Sequence, residues 1–419
     1  MLYPLYIDPG TGSMLFSILI GAAATLYFLF RALFIKIKVA ISGGKAINSS
    51  AASCVIYNEG KQYFNVFKPV LDIFEKEQQE LIYLTSAEDD PVFQEDYQYI
   101  KKEYIGEGNR AFARLNFLSA DVVLMTTPGL DVYQLKRSKN VKHYSHILHA
   151  PSDATMYRLF GIDYFDSILL TGDYQAKDIR ELEKIRNLPE KELVTVGCTY
   201  LDVYNAMISR IPQEENHQFT VLVSPSWGPS GILARYGKKL LEPLLKTDWR
   251  IIVRPHPQSK KSESLMLDDL ASYFGNMPNL VWDYDRENIF SLARADIMIS
   301  DFSGIIYDYI FLFNKPVVYI KQNIDLRPYD ADDLDHEIWQ FSVLRDIAVE
   351  LKEEEIENIN DIIKKYSGAS FLKAVIQKAK ETAWQHQGES GKRVFDYMIK
   401  IKHNFDMLPV NEKTLSPRL

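Results

Sequence analysis

From residue 53 onward the chain alternates short apolar runs with stretches whose apolar positions recur every three or four residues. Runs of the first kind occupy 53–57, 81–85, 122–126, 144–149, 167–171 and 193–196, and the helical spacing fills 62–75, 109–117 and 174–186 between them. Short runs that are apolar on both faces suit buried parallel strands, and their alternation with helices predicts βαβ units. The polar stretch 211–218 interrupts the pattern, which restarts with strands at 219–224, 250–254, 280–282, 296–300 and 317–320. Two Rossmann-like halves of similar size are therefore expected, an N-terminal one over 43–210 and a C-terminal one over 211–385. The chain from about Glu350 is charged and helical in period. Residues 386–419 are expected to form a last helix and a tail that is unstructured after Pro409.

Ahead of this pattern stands a different one. No charge occurs from Met14 to Phe30, and the apolar character continues to Ile35 around Arg31. A helix of that length crosses a hydrocarbon core of about 30 Å, with Arg31 snorkelling at one end. Arg31, Lys36 and Lys38 follow the run and nothing basic precedes it, which argues against a secretory signal and places the rest of the chain in the cytoplasm. Residues 1–42 are thus expected to be a single-pass anchor in the cell membrane with its juxtamembrane segment.

Composition narrows the partners. At 419 residues the chain is long enough for two domains, with 47% hydrophobic and 12% aromatic residues to fill their cores. The formal net charge of −8 gives no reason to expect a nucleic-acid partner. Cys54 and Cys198 fall in strand-like runs without metal-type spacing and read as buried thiols of a reducing compartment.

The candidate chemistry sits at strand ends. Ser300-Asp301-Phe302-Ser303-Gly304 follows one strand and opens a helix over 305–313 that Lys315-Pro316 terminates. Such a turn lies at the carboxyl edge of a parallel sheet, where free N–H groups and the helix dipole favour an anion. Ser303 and the Gly304 backbone suit phosphate oxygens, with Asp308 one turn inside the helix. A plainer reading makes Ser303 an N-cap and Asp308 a first-turn acid that complements the dipole. Ser226, in the small-residue loop 224–231, belongs to a second such edge, without the GxGxxG or Walker spacing. Arg254-Pro255-His256-Pro257 holds a guanidinium and an imidazole at a third, where they suit a departing phosphate. His146 and His149 end a strand that leads toward a helix expected near Ser152, and an imidazole there suits a general base. Two histidines three apart on a strand point to opposite faces, so one of them is expected to be structural. Asp330-Ala331-Asp332-Asp333 has no strand before it and reads as a solvated acidic surface.

Taken together, Arg254-Pro255-His256-Pro257, Ser300–Gly304 with Asp308, and Lys315-Pro316 resemble the CDP-glycerol glycerophosphotransferases, the teichoic acid primases and polymerases of cell-wall synthesis. His149-Ala150-Pro151 falls where that family has His-Gly-Thr-Pro. The resemblance covers roughly residues 120–320 and implies a GT-B fold, two Rossmann-like domains facing across a cleft. It implies His149 as the base for the acceptor hydroxyl, and Arg254 and catalytic His256 at the donor diphosphate. Ser303, Gly304 and Asp308 would complete the pocket, with Ser226, Ser300 and Asp301 as further substrate contacts and no metal or other cofactor. The expected partners are a CDP-linked donor, a lipid-linked or glycan acceptor, and the membrane. Ala150, Pro151 and Gly304 depart from the family pattern, as does the segment 321–345. Two other readings follow from those departures: a GT-B sugar transferase or epimerase using a UDP-sugar, and a non-catalytic membrane-bound nucleotide-binding protein.

Overall fold

The computed structural model describes residues 25–27, 30, 52–211, 217–275, 277–368 and 373–407. The apolar N-terminal segment expected to span a membrane lies outside them almost entirely. Among the described residues no helix is long and apolar enough to cross a membrane. Ala52–Leu419 forms one compact unit.

That unit contains two parallel sheets. The first takes strands β1 (Ala52–Asn58), β2 (Leu81–Thr85), β3 (Ile100–Tyr104), β4 (Ser119–Met125), β5 (Asn140–Ile147), β6 (Ser167–Leu170) and β7 (Glu192–Thr195) in the order β3-β2-β1-β4-β5-β6-β7. The second takes β8 (Thr220–Val223), β9 (Arg250–Val253), β10 (Leu280–Trp282), β11 (Ile297–Ser300), β12 (Val317–Ile320) and β13 (Val349–Leu351) in the order β10-β9-β8-β11-β12-β13. Each sheet winds outward both ways from its first strand, so a switch point lies between β1 and β4 and another between β8 and β11. The central strands are apolar on both faces because helices cover both: Val55, Ile56, Val122, Val123, Val221 and Ile299 are fully buried.

The strands that the apolar pattern does not reveal are edge strands. β3 reads Ile-Lys-Lys-Glu-Tyr, half-buried along most of its length on a sheet margin where charge blocks further pairing, and β13 is only three residues long. The helix expected near Ser152 is a short 3-10 turn, Ala154–Met156, in a long connection to β6. Asp153 does not cap a helix there. Its N–H donates to Gln340 Oε1 at 3.1 Å, and its Oδ2 accepts from the Gln340 N–H at 2.6 Å.

This pairing is one of several that bring the carboxyl edges of the two sheets together. The Arg158–Tyr329 bridge, the bond from Leu159 N–H to the Pro328 carbonyl and that from Asp330 N–H to the Tyr157 carbonyl extend it. The acidic run expected to be a solvated surface is part of the same junction. Arg186 forms ion pairs with Asp330 at 2.7 Å, Asp333 at 2.7 Å and Asp163 at 2.8 Å, and the Asp330 side chain is fully buried. On the other flank Glu287 Oε2 accepts from Tyr204 Oη at 3.0 Å and Asn65 Nδ2 at 3.3 Å.

The last helix, Ser390–Asp406, returns to the first half. Val394, Phe395, Met398 and Ile401 enter the core built by the helix Phe64–Lys76, with the rings of Phe74 and Phe395 4.8 Å apart. Gly391 permits the approach, since a Cβ there would lie 2.7 Å from the Pro69 carbonyl oxygen. Cys54 and Cys198 are buried thiols outside any disulfide, as expected.

Candidate active site

β9, β8 and β11 are neighbours, so the loops that follow them leave the second sheet at one edge. Asp301 ties them together. Its Oδ1 accepts the N–H groups of Ser226 at 2.9 Å, Phe302 at 2.7 Å and Ser303 at 3.2 Å, and its Oδ2 that of Ile232 at 3.0 Å. Burial raises the carboxyl above its ordinary range, although these N–H groups pull it the other way. Ser300 Oγ donates to the Ser224 carbonyl at 2.6 Å. Asp301 and Ser300, expected as substrate contacts, thus hold the loops in place, and both are almost completely buried.

Arg254 is also committed within the fold. Its guanidinium donates to Asp283 Oδ2 at 2.6 Å and to the Asp285 carbonyl at 2.7 Å, so it braces the loop after β10. Hydrogen bonds from Ser291, the Asp285 N–H and Arg254 outweigh burial and hold the Asp283 carboxyl below its usual range. Asp308 is not a solvated first-turn acid. It is buried under Tyr200, whose hydroxyl donates to Asp308 Oδ1, and burial raises its pKa well above the carboxylate range. The helix Ile305–Phe313 has Gly304 as its N-cap with no side-chain capping bond, so Ser303 does not cap it.

What remains open at this edge is Ser226, Trp227, His256, Ser303 and Gly304, half-buried or exposed. The rings of Trp227 and His256 lie 6.4 Å apart. His256 Nδ1 accepts from the Gln258 N–H at 3.1 Å, which leaves Nε2 to carry the proton of the neutral ring and to donate. Burial lowers this imidazole, against the opposing charge of Glu263. A cavity of about 340 Å³ continues from Asp301 and Phe302 past Tyr319, Lys321 and Gln322 to His336. Among the described residues no group of three or more His, Cys, Asp or Glu side chains is placed to hold a metal ion.

At the first sheet's edge, Tyr157 Oη lies 3.0 Å from His149 Nδ1 and 3.2 Å from His146 Nε2. His146 is the structural member of the pair: fully buried, packed against Phe165, with burial pushing its pKa down to about 3. His149 is half-buried, with the Tyr63 ring edge-on at 5.1 Å, and burial pushes it down to about 4. Its imidazole is therefore neutral at ordinary pH.

Sequence reasoning missed Tyr63 and Tyr157, which flank His149, and the interdomain pairs of Asp153 and Arg186. The signals were thin. Tyr157 is eight residues from His149 in an irregular loop, and only folding brings it back.

Residues 199–399 match the family described as CDP-glycerol:poly(glycerophosphate) glycerophosphotransferase, which bears out the resemblance read from the motifs. No curated protein matches the chain by sequence. Among solved structures the chain is similar to the wall teichoic acid polymerase TagF, with a TM-score of 0.54 and 14% identity, covering 90% of this chain and 98% of that one. It is also similar to a UDP-GlcNAc 2-epimerase from Neisseria meningitidis (TM-score 0.54, 11% identity, 83% of this chain and 100% of that one). A third likeness is to a UDP-GlcNAc 2-epimerase from Methanocaldococcus jannaschii (TM-score 0.53, 13% identity, 83% and 99%). These likenesses show the fold, an α/β GT-B-like pair of parallel-sheet halves.

Proposed function

We propose that this glycerophosphotransferase-like enzyme moves glycerol phosphate, or another polyol phosphate, from a CDP-linked donor to a hydroxyl of a lipid-linked or glycan acceptor in teichoic acid synthesis. The observation that carries the reading is the gathering of Ser226, His256, Ser303 and Gly304 at one sheet edge within the stretch that matches the family. Backbone N–H groups where the helix Ile305–Phe313 begins, with the donor His256 Nε2, suit a diphosphate. The adjoining cavity suits the nucleoside, with Phe302 and Tyr319 as apolar walls and Lys321 as a cation.

His149 is the base. For Nε2 to accept the acceptor's proton, Nδ1–H must donate a hydrogen bond to Tyr157 Oη, whose own O–H, keeping its proton, then donates a hydrogen bond to His146 Nε2. The acceptor oxygen forms a bond to the β-phosphorus while the bond from that phosphorus to the bridging oxygen breaks. The electron pair leaves on CMP, whose charge His256 and the helix N-terminus stabilise. Arg254 acts at one remove, by holding the β10 loop through Asp283. The apolar stretch 14–35 serves as the anchor that keeps the cleft beside a lipid-linked acceptor, on the cytoplasmic side of the cell membrane.

The test offers CDP-glycerol, CDP-ribitol and UDP-GlcNAc in parallel to the full chain in membranes and follows nucleotide release. Acceptor-dependent CMP release supports the reading. UDP release without CMP release overturns it.

A further inference from the structure

The two switch points differ in how their carboxylates are used. Asp301, the first residue after β11, is closed off by four backbone N–H groups. Glu59, the first residue after β1, is not. Tyr57 pairs with Met125 across β1 and β4, so continuing the register sets Glu59 level with Thr127. Met125 pairs with His146 across β4 and β5, which sets His149 one step further along the same edge. The loop that presents Glu59 is rigid: Asn58 is fully buried and donates to Tyr83 Oη at 2.7 Å and Asp90 Oδ2 at 2.9 Å, while the Tyr63 N–H bonds the Gly60 carbonyl at 3.0 Å.

Around the carboxylate stand Thr127 and the phenols of Tyr57, Tyr63 and Tyr157, and the three phenols are close enough to sense its charge. Among the described residues it has no ion-pair partner. Level with it, Thr127 is buried and its Oγ1 has no hydrogen-bond partner in the protein. A buried hydroxyl without a partner and a carboxylate without a cation, at a switch point and sharing the neighbours Tyr63 and Tyr157 with the base, make a site for hydroxyl groups.

We infer that Glu59 binds the acceptor: its carboxylate accepts a hydrogen bond from a hydroxyl of the incoming polyol, with Thr127 serving a neighbouring hydroxyl, and so presents the attacking oxygen to His149. This rests on the acceptor lying in the first half, as the proposed function has it. The chemical class follows from charge. A carboxylate with no cation beside it repels a phosphate, so the acceptor end that enters must be neutral and hydroxyl-bearing.

The experiment is ligand-observed NMR binding of glycerophosphoglycerol, which ends in neutral hydroxyls, to the wild-type chain and to Glu59→Gln and Glu59→Ala. Calorimetric titration with CDP-glycerol runs alongside, and thermal unfolding checks that each variant folds. Loss of a hydrogen bond to a charged group should weaken glycerophosphoglycerol by about tenfold or more in Glu59→Gln while CDP-glycerol affinity stays within about twofold. Equal binding of glycerophosphoglycerol by wild type and folded Glu59→Gln overturns the inference, as does no binding by the wild type. Failure of CDP-glycerol to bind the wild type counts instead against the donor reading and leaves the acceptor comparison intact.

Discussion

The two carboxyl edges face each other from sheets that share a strand order, but they offer opposite chemistry. The edge of β8, β9 and β11 presents backbone N–H groups, a helix start, an imidazole with an outward donor and a lysine at the cavity wall. The edge of β1, β4 and β5 presents a carboxylate, threonine hydroxyls, phenols and an imidazole held neutral by burial. One is built for an anion and the other for hydroxyl groups. The difference teaches that equivalent positions in two similar sheets take their roles from what saturates them rather than from residue type. Asp301 is an acid consumed by the backbone, whereas Glu59 is an acid left to meet a ligand.

The sharpest way to break this contrast is to remove the tie in the donor half. Asp301→Ala leaves four N–H groups without an acceptor, that of Ile232 fully buried, and should cost about 4 kcal/mol in chemical denaturation along with all nucleotide binding. Asp301→Asn, which keeps an acceptor oxygen, should recover part of both. A variant as stable as wild type would show that the loops need no tie.

Next come the two imidazoles, compared with one another. His149→Ala should lower kcat by about a thousandfold with CDP-glycerol affinity unchanged, while His256→Ala should lose about a hundredfold and weaken donor binding as well, both read in a CMP-release assay. Because burial holds His149 near 4, the acid limb of kcat/KM should fall there rather than near 6.5, and His149→Ala should lack it. Turnover unaffected by both substitutions would remove the mechanism.

The architecture was legible because βαβ repetition is a local signal. Apolar runs at 81–85, 167–171 and 317–320 could be little else, while β3 hid behind Lys101, Lys102 and Glu103. The candidate site was legible as a set of strand ends, since parallel topology brings such ends together. It was not legible as a set of roles. Nothing in Arg254-Pro255-His256 reveals that the arginine turns to Asp283 while the histidine stays open, because Asp283 lies 29 residues away. Asp332 and Asp333 are exposed, as the acidic run suggests, but Asp330 misled for the same reason: its partner Arg186 is 144 residues distant, and charge in sequence resembles solvent exposure until a long-range partner appears.

A last test concerns how the edges are joined. Burial raises Asp153 to about 7 from an ordinary 3.8, so between those values the native state keeps a proton that the unfolded chain has released. Stability from this group is therefore full below 3.8 and is lost as pH rises toward 7. Asp153→Asn, which still accepts from Gln340, should flatten that part of a profile of Tm against pH. An unchanged slope would show that the carboxyl does not titrate with folding.

The final helix has a consequence for how the polypeptide is made. The first sheet leaves the ribosome before the second, yet Val394, Phe395 and Met398 complete its interior only after every strand of the second sheet has been made. The nascent first domain must wait with an uncovered apolar surface, so the two domains cannot mature one after the other, and a message truncated before codon 390 would yield a protein that chaperones retain.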